Sequence, residues 1–184
     1  MNPNEKFPLP VIEKVVKGFH GTKKEYAANS VVTHHFHKSQ EADDWLGHGI
    51  YFWEDDPGRA IEWATNRYGE EAAVVEVSIN LGRCLDLTLL SYTEYVRLAY
   101  EEYAKKLRNE KKDLANYATD SHVLDCSVLN YLTAELFYVD TIRAPFDIGE
   151  AIYPRSYLHK GSHIQLVVLN ESNLIGQVSV YFEA

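Results

Sequence analysis

The alternation of apolar and polar positions predicts strands near both ends of the chain and helices in its middle. Short runs rich in β-branched and aromatic residues, and stretches of period two, are typical of strands. Strands are expected over residues 15–20, 50–53, 72–79, 84–87, 164–169 and 177–182. A turn is expected at residues 81–83, where a glycine separates two of these runs.

Apolar residues three and four positions apart predict the three longer helices, and a run of alanines and polar residues predicts the first. Helices are expected over residues 23–31, 58–68, 88–109 and 121–137. In the third of these, the stripe that includes Tyr92, Tyr95 and Tyr103 is interpreted as core rather than as a ring-stacking site. Residues 140–160 contain two prolines and a glycine and are predicted to form a long loop, and residues 1–10 an extended lead-in.

This order of elements favours an α+β fold with a split, mostly antiparallel β-sheet and an inserted helical segment. A chain of 184 residues is long enough for one domain with a sizeable core. We therefore expect a single domain over residues 1–184.

The composition is that of a globular protein, with 46% hydrophobic and 24% charged residues. A formal net charge of −9 argues against indiscriminate nucleic-acid binding, although a local basic groove is compatible with it. No apolar run approaches the ~20 residues that a membrane span needs, and the first residues lack the pattern of a signal peptide. Two cysteines are too few for a disulfide scaffold, so a cytoplasmic protein without a membrane partner is expected.

Candidate chemistry is densest between Trp45 and Trp63, where two glycines, Gly47 and Gly49, precede an aromatic strand and a helix. Glycine there permits a positive φ angle or a close backbone approach. The alternative interpretation is an edge strand packed on a helix. Three histidines at positions 34, 35 and 37 have no partner at metal-site spacing, so no metal is predicted.

Three motifs occur in an order that resembles a known family. The hexapeptide 47–52, Gly-His-Gly-Ile-Tyr-Phe, is similar to the Gly-x-Gly-x-Tyr-Phe segment of poly(ADP-ribose) polymerase-like ADP-ribosyltransferases. Residues 19–22, Phe-His-Gly-Thr, resemble the motif that opens that catalytic domain, and residues 162–168 resemble the strand that carries its third signature residue. The motifs span nearly the whole chain, and the fold that the resemblance implies agrees with the predicted α+β architecture.

The resemblance implies roles for individual residues in binding and cleaving NAD⁺. His20, Tyr51 and Gln165 would be the catalytic residues, with His20 on a ribose hydroxyl and Tyr51 stacked on the nicotinamide ring. Other residues would help to bind the dinucleotide, namely Gly21, Thr22, Trp63, Arg143 and Ser162, with Asp125 and Ser156 as further polar candidates. Of these, Arg143 could face the pyrophosphate and Trp63 could replace a second ring-facing tyrosine, a position that Glu62 occupies when counted from Tyr51.

The glutamine at position 165 departs from the glutamate common in polymerising members. Glutamine accepts a hydrogen bond but brings no charge to stabilise an oxocarbenium-like transition state. This favours transfer of a single ADP-ribose, with NAD⁺ as substrate, over chain elongation. Two alternatives stay open: an NAD⁺ glycohydrolase, and an inactive module that binds NAD⁺ or ADP-ribose. A polar residue at a strand start, with no role in the site, is the plain interpretation of Gln165.

A catalytic domain without targeting modules resembles the effectors of toxin–antitoxin and antiviral defence systems. The acceptor would be RNA, DNA or protein, and a cognate antitoxin would be a possible partner. The sequence contains no phosphate-binding glycine loop and no nucleophile elbow, so other enzyme classes have little support.

Overall fold

The computed structural model describes residues 6–117 and 121–184, so the first five residues of the predicted lead-in lie outside it. Its strands are β1 (Phe7–Pro8), β2 (Val11–Lys23), β3 (Ile50–Glu54), β4 (Ala72–Asp86), β5 (Phe137–Tyr138), β6 (Thr141–Phe146), β7 (His163–Val168) and β8 (Leu174–Glu183). Its α-helices are α1 (Lys24–Thr33), α2 (Pro57–Tyr68), α3 (Leu90–Asn109) and α4 (Val123–Tyr131), and a π-helical turn, Leu132–Leu136, follows α4. The prediction of an α+β protein with a helical segment between strands is confirmed.

The predicted split sheet is wrong, because five of the strands close into a barrel. The strands are paired in the order β2–β3–β7–β6–β4, and β4 pairs again with β2. The pairings are antiparallel except for the parallel pair β4–β6. Closure depends on the length of β4: β2 runs along one edge, while β8 and β6 share the other, at Ala73–Ile79 and Cys84–Asp86 respectively.

Two local predictions also fail, and both failures concern residues that usually break strands. The expected turn at residues 81–83 lies inside β4, where Gly82 takes a φ of +59° and the strand continues. The first part of the expected loop is the strand β6, which contains Pro145. β4 accompanies β6 only as far as Arg143, so the missing N–H of Pro145 costs no bond on that edge.

The two faces of the barrel strands pack against different apolar clusters. Phe52 and Leu166 belong to a core cluster that also contains Ile50, Val75, Ile79, Cys84 and Val168, and we call their side the inner face. The opposite side, the outer face, is covered twice. Helix α2 packs over Phe19 and Trp53, and the helices α3 and α4 pack over Val167, Ile142 and Leu85.

Helix α2 begins within one residue of its predicted start and is capped by a side chain. The Asp56 carboxylate accepts a hydrogen bond of 3.0 Å from the Arg59 N–H, and Pro57 occupies the first turn. Both cysteines are buried and free. In the part of the chain that the structure describes, none of the helices combines the length and apolar character required to cross a membrane.

Candidate functional site

The three predicted motifs lie on neighbouring strands. His20 is on β2, Tyr51 on β3 and Gln165 on β7, and these strands follow one another in the barrel. Phe19 pairs with Trp53, and Trp53 pairs with Gln165, so one row of residues crosses the three strands that carry the motifs. Segments that are far apart in the sequence are thereby brought side by side.

The glycine loop before β3 is held by the Tyr51 hydroxyl. That hydroxyl donates to the Gly47 carbonyl at 2.7 Å and accepts from the Leu46 N–H at 2.9 Å. Gly47 has a φ of +78°, and a Cβ on Gly49 would lie 2.4 Å from a Val167 methyl group. Gly47 is therefore required by its positive φ angle, and Gly49 by the close approach of Val167, which are the two predicted reasons for glycine. Burial raises the pKa of the Tyr51 hydroxyl above its ordinary range.

His20 bonds to the backbone of the neighbouring strand. Its Nδ1 lies 2.8 Å from the Tyr51 carbonyl oxygen, and since a carbonyl only accepts, Nδ1 carries the proton. The ring lies between Phe36 and Phe52, with both centroids at 5.5 Å. Burial lowers the pKa of His20, the carbonyl contact opposes that shift, and the nearby His37 adds to it. The proton on Nδ1 leaves Nε2 as an acceptor.

The predicted site residues are divided between the two faces of the barrel. The His20 ring contacts Phe52 on the inner face, whereas the Tyr51 ring packs on the outer face beside the cluster of Val167. Thr22, two residues after His20, is buried on the inner side as well. Gln165 is the cross-strand neighbour of Trp53, on the outer face. The structure therefore brings Tyr51 and Gln165 to one surface and places His20 on the other.

Arg143 belongs to a buried ionic cluster on the inner face. Its Nε and Nη2 donate to the two Glu54 carboxylate oxygens at 2.5 and 2.8 Å, and its Nη1 donates to Asp86 at 3.2 Å and to the Thr88 hydroxyl at 3.0 Å. These contacts raise the pKa of the Arg143 guanidinium, with the Glu54 hydrogen bonds as the largest cause. The guanidinium is committed to the fold and is not presented to a pyrophosphate.

Gln165 and Ser162 differ in their surroundings. The Gln165 side chain is half-buried, and its amide makes no hydrogen bond within the described residues. Ser162 is exposed in the connection before β7 and donates to Asp147, which also pairs with His159 at 2.8 Å. Ser162 lines an open groove of ≈ 520 Å³, together with Pro145, Phe146, Asp147, Tyr157, Leu158, His163 and Ile164. The groove therefore reaches the residue next to Gln165.

The remaining polar candidates lie at the surface. Asp125 pairs with His122 at 3.1 Å, and the Ser156 hydroxyl accepts from the Leu158 N–H at 3.0 Å. A second depression of ≈ 370 Å³ is lined by His35, Phe36, His37, Lys38, Gln40, Glu41 and Glu171. The described residues hold no cluster of His, Cys, Asp or Glu side chains suited to a metal ion.

Trp63 lies against the bare side of Gly21. A Cβ on Gly21 would be 3.0 Å from Trp63 Cε3 and 3.0 Å from the Ala60 carbonyl oxygen. The Trp63 ring is 5.6 Å from the Trp53 ring and is 38% exposed. The space beside Gly21, which the resemblance assigns to nicotinamide, is filled by Trp63 in this structure.

Trp53 is the residue at this site that the motif reasoning missed. It is 5% exposed, and its indole Nε1 is buried without a hydrogen-bond partner in the part of the chain described. The signal was available in the sequence, because a strand places residues i and i+2 on one face and Trp53 is two positions after Tyr51.

Comparison with known proteins adds no relative. No family model matches the chain, and neither the curated proteins nor the solved structures searched contain a match.

Proposed function

We propose that this chain binds NAD⁺ and transfers a single ADP-ribose unit to a macromolecular acceptor, with release of nicotinamide. The observation that carries the proposal is the adjacency of β2, β3 and β7, which places the three motifs in neighbouring positions although they are distant in sequence. In particular, Tyr51 and Gln165 share the outer face, where a half-exposed amide with no partner in the described chain is available to a ligand.

The expected chemistry is dissociative, with positive charge developing on the ribose as the bond to nicotinamide breaks. A Gln165 carbonyl would orient a ribose hydroxyl, and its contribution would come from preorganisation rather than from charge. The acidic groups of the inner cluster, Glu54 and Asp86, already pair with Arg143. These carboxylates are therefore not available to supply the charge that Gln165 lacks. A neutral residue at position 165 favours transfer of one unit over elongation.

A second candidate function is an inactive module that binds NAD⁺ or ADP-ribose. The specific observation in its favour is that Trp63 fills the space beside Gly21, so a ligand has to displace a ring before it can bind there. Hydrolysis of NAD⁺, with water as the acceptor, uses the same site and differs only in its product.

The test uses the full chain, NAD⁺ labelled in the adenosine moiety, and a cell extract. Free nicotinamide together with label on macromolecules supports the transferase, and digestion with protease or nuclease identifies the acceptor as protein or nucleic acid. Free ADP-ribose without labelled macromolecules identifies the glycohydrolase. Binding by calorimetry without release of nicotinamide identifies the inactive module.

A further inference from the structure

The indole N–H of Trp53 is a buried donor that lacks an acceptor among residues 6–117 and 121–184. Buried polar groups in folded proteins are nearly always hydrogen-bonded, and an unpaired one carries a cost in stability. Nε1 only donates, so the missing partner is an oxygen or another acceptor. Because the Trp53 N–H lies on the face that carries Tyr51 and Gln165, a ligand is the natural source of that acceptor.

The residues next to Trp53 indicate which chemical groups a ligand at this position carries. Trp63 presents a flat ring that lies against both Gly21 and the Trp53 ring, and Gln165, the cross-strand neighbour of Trp53, carries an amide with both donor and acceptor capacity. A flat ring with a carbonyl group and an N–H₂ group complements all of these. Fully charged groups are not needed for this recognition.

Trp63 covers Gly21 and Trp53, and its described contacts are packing contacts and a cation–π contact. Its ring packs on Trp53 and, edge-on, on Tyr68 at 5.8 Å, while the Arg67 guanidinium lies 5.3 Å from it. No hydrogen bond of its indole occurs in the described part of the chain. With 38% of its surface already exposed, Trp63 can turn outward without breaking a hydrogen bond.

We infer that the Trp53 indole N–H donates to the carbonyl oxygen of a planar, amide-bearing ring, and that Trp63 is the cover which turns aside to admit this ring. This inference rests on the proposed function and assigns to Trp53 a ligand contact that the motifs do not assign. Under this assignment, the N–H that lacks an acceptor among the described residues finds one on the ligand.

Nicotinamide is the probe, and the three tryptophans make the test direct. Their indole N–H signals in a ¹H–¹⁵N spectrum are assigned with single Trp→Phe variants. On saturation with nicotinamide, the Trp53 signal is expected to shift and the Trp45 signal to stay in place. Trp53→Phe keeps the ring and removes the N–H, so nicotinamide affinity is expected to fall about two- to tenfold, the range for one hydrogen bond. Trp45→Phe is the matched control, with unchanged affinity.

A stationary Trp53 signal, or equal nicotinamide affinity in Trp53→Phe and the wild type, would overturn the inference. The wild-type titration decides even where the variant fails to fold. Failure of the proposed function is separate: a moving Trp53 signal without NAD⁺ turnover keeps the inference and removes the transferase. Turnover of NAD⁺ with a stationary Trp53 signal keeps the proposed function and removes the inference.

The covering role of Trp63 has its own readout. In Trp63→Ala, solvent exchange of the Trp53 indole proton is expected to be at least about tenfold faster than in the wild type, because the protecting ring is gone. Exchange of the Trp45 indole proton serves as the internal reference. An unchanged Trp53 rate would show that α2 itself, and not Trp63, shields the donor.

Discussion

Two polar regions on opposite faces of the same strands differ in how completely they are paired. On the inner face, Arg143 makes hydrogen bonds to Glu54, Asp86 and Thr88. On the outer face, Trp53 and Gln165 face each other across β3 and β7 without side-chain hydrogen bonds in the described structure. A saturated cluster holds a fold together, whereas the unsaturated pair keeps hydrogen-bonding capacity that, under the proposed function, serves a ligand.

This contrast separates residues that look alike in the sequence. Arg143 and Gln165 are both polar residues on central strands, and both were candidates for contact with the dinucleotide. Pairing distinguishes them: the arginine already has two carboxylate partners from β3 and β4, while the glutamine amide has no partner among residues 6–117 and 121–184. If the contrast is correct, changes on the inner face alter stability and changes on the outer face alter ligand binding.

The largest expected effect is the loss of stability in Arg143→Ala. Removing one partner of a buried ion pair leaves uncompensated charge, here on Asp86 and in part on Glu54, which keeps a contact of 3.4 Å with Lys14, and typically costs about 3–5 kcal/mol. Urea unfolding followed by circular dichroism measures it. Arg97→Ala, which breaks exposed pairs with Glu94 and Glu101, is the matched control and is expected to lose under about 1 kcal/mol. Equal losses in the two variants would refute the structural role of the inner cluster.

Gln165→Ala is expected to lower activity while leaving stability unchanged. Turnover of NAD⁺ should fall by about 10²–10³, the scale for one preorganised polar contact, while the urea midpoint stays within error. Gln177→Ala, at an exposed position of β8, is the control and should retain full turnover. Wild-type turnover in Gln165→Ala would remove this residue from the reaction and make Ser162 the next residue to test.

The local part of this architecture could be predicted from the sequence, and the non-local part could not. Gly47 and Gly49 correctly predicted a positive φ angle or a close backbone approach just before β3. The apolar periodicity of α2 and α3 predicted the bounds of those helices to within two residues. Closure of the barrel depends on β4 pairing with both β2 and β6, which no local pattern records. The burial of Arg143 has the same cause, because its carboxylate partners are far from it in the chain.

Within the site, the sequence predicted which segments form strands, but it did not predict which face of the barrel each side chain occupies. The motifs gathered on β2, β3 and β7, but His20 and Tyr51 point to opposite faces. Their link is a hydrogen bond from the His20 ring to the Tyr51 carbonyl, a structural contact between two neighbouring strands. The sequence places Trp53 on the same strand face as Tyr51, whereas the absence of an acceptor for its N–H among the described residues is known only from the structure.

Tyr51→Phe tests whether this tyrosine serves the loop, the ligand or both. The variant keeps the ring and removes the hydroxyl that holds Leu46 and Gly47, which is expected to cost about 1–3 kcal/mol of stability because a buried N–H loses its acceptor. The urea midpoint measures this, with Tyr181→Phe at an exposed position as the control. If only the ring serves the ligand, NAD⁺ turnover per folded molecule stays at the wild-type level. A stable variant without turnover would instead assign the hydroxyl to the reaction.

The smallest expected effect is the pH dependence that His20 confers. Burial lowers its pKa, so the unfolded chain binds this proton more readily than the folded one. Stability from His20 is therefore fully present above the unfolded pKa of about 6.5 and is lost as the pH falls through the folded pKa, with a slope of at most about 1.4 kcal/mol per pH unit for one proton. Unfolding free energies measured at several values between pH 7.5 and 5 should show this slope in the wild type and a shallower one in His20→Gln, with the exposed His48→Gln as control. A slope equally steep in His20→Gln would mean that another group titrates, and that His20 bears no proton-linked part of the stability.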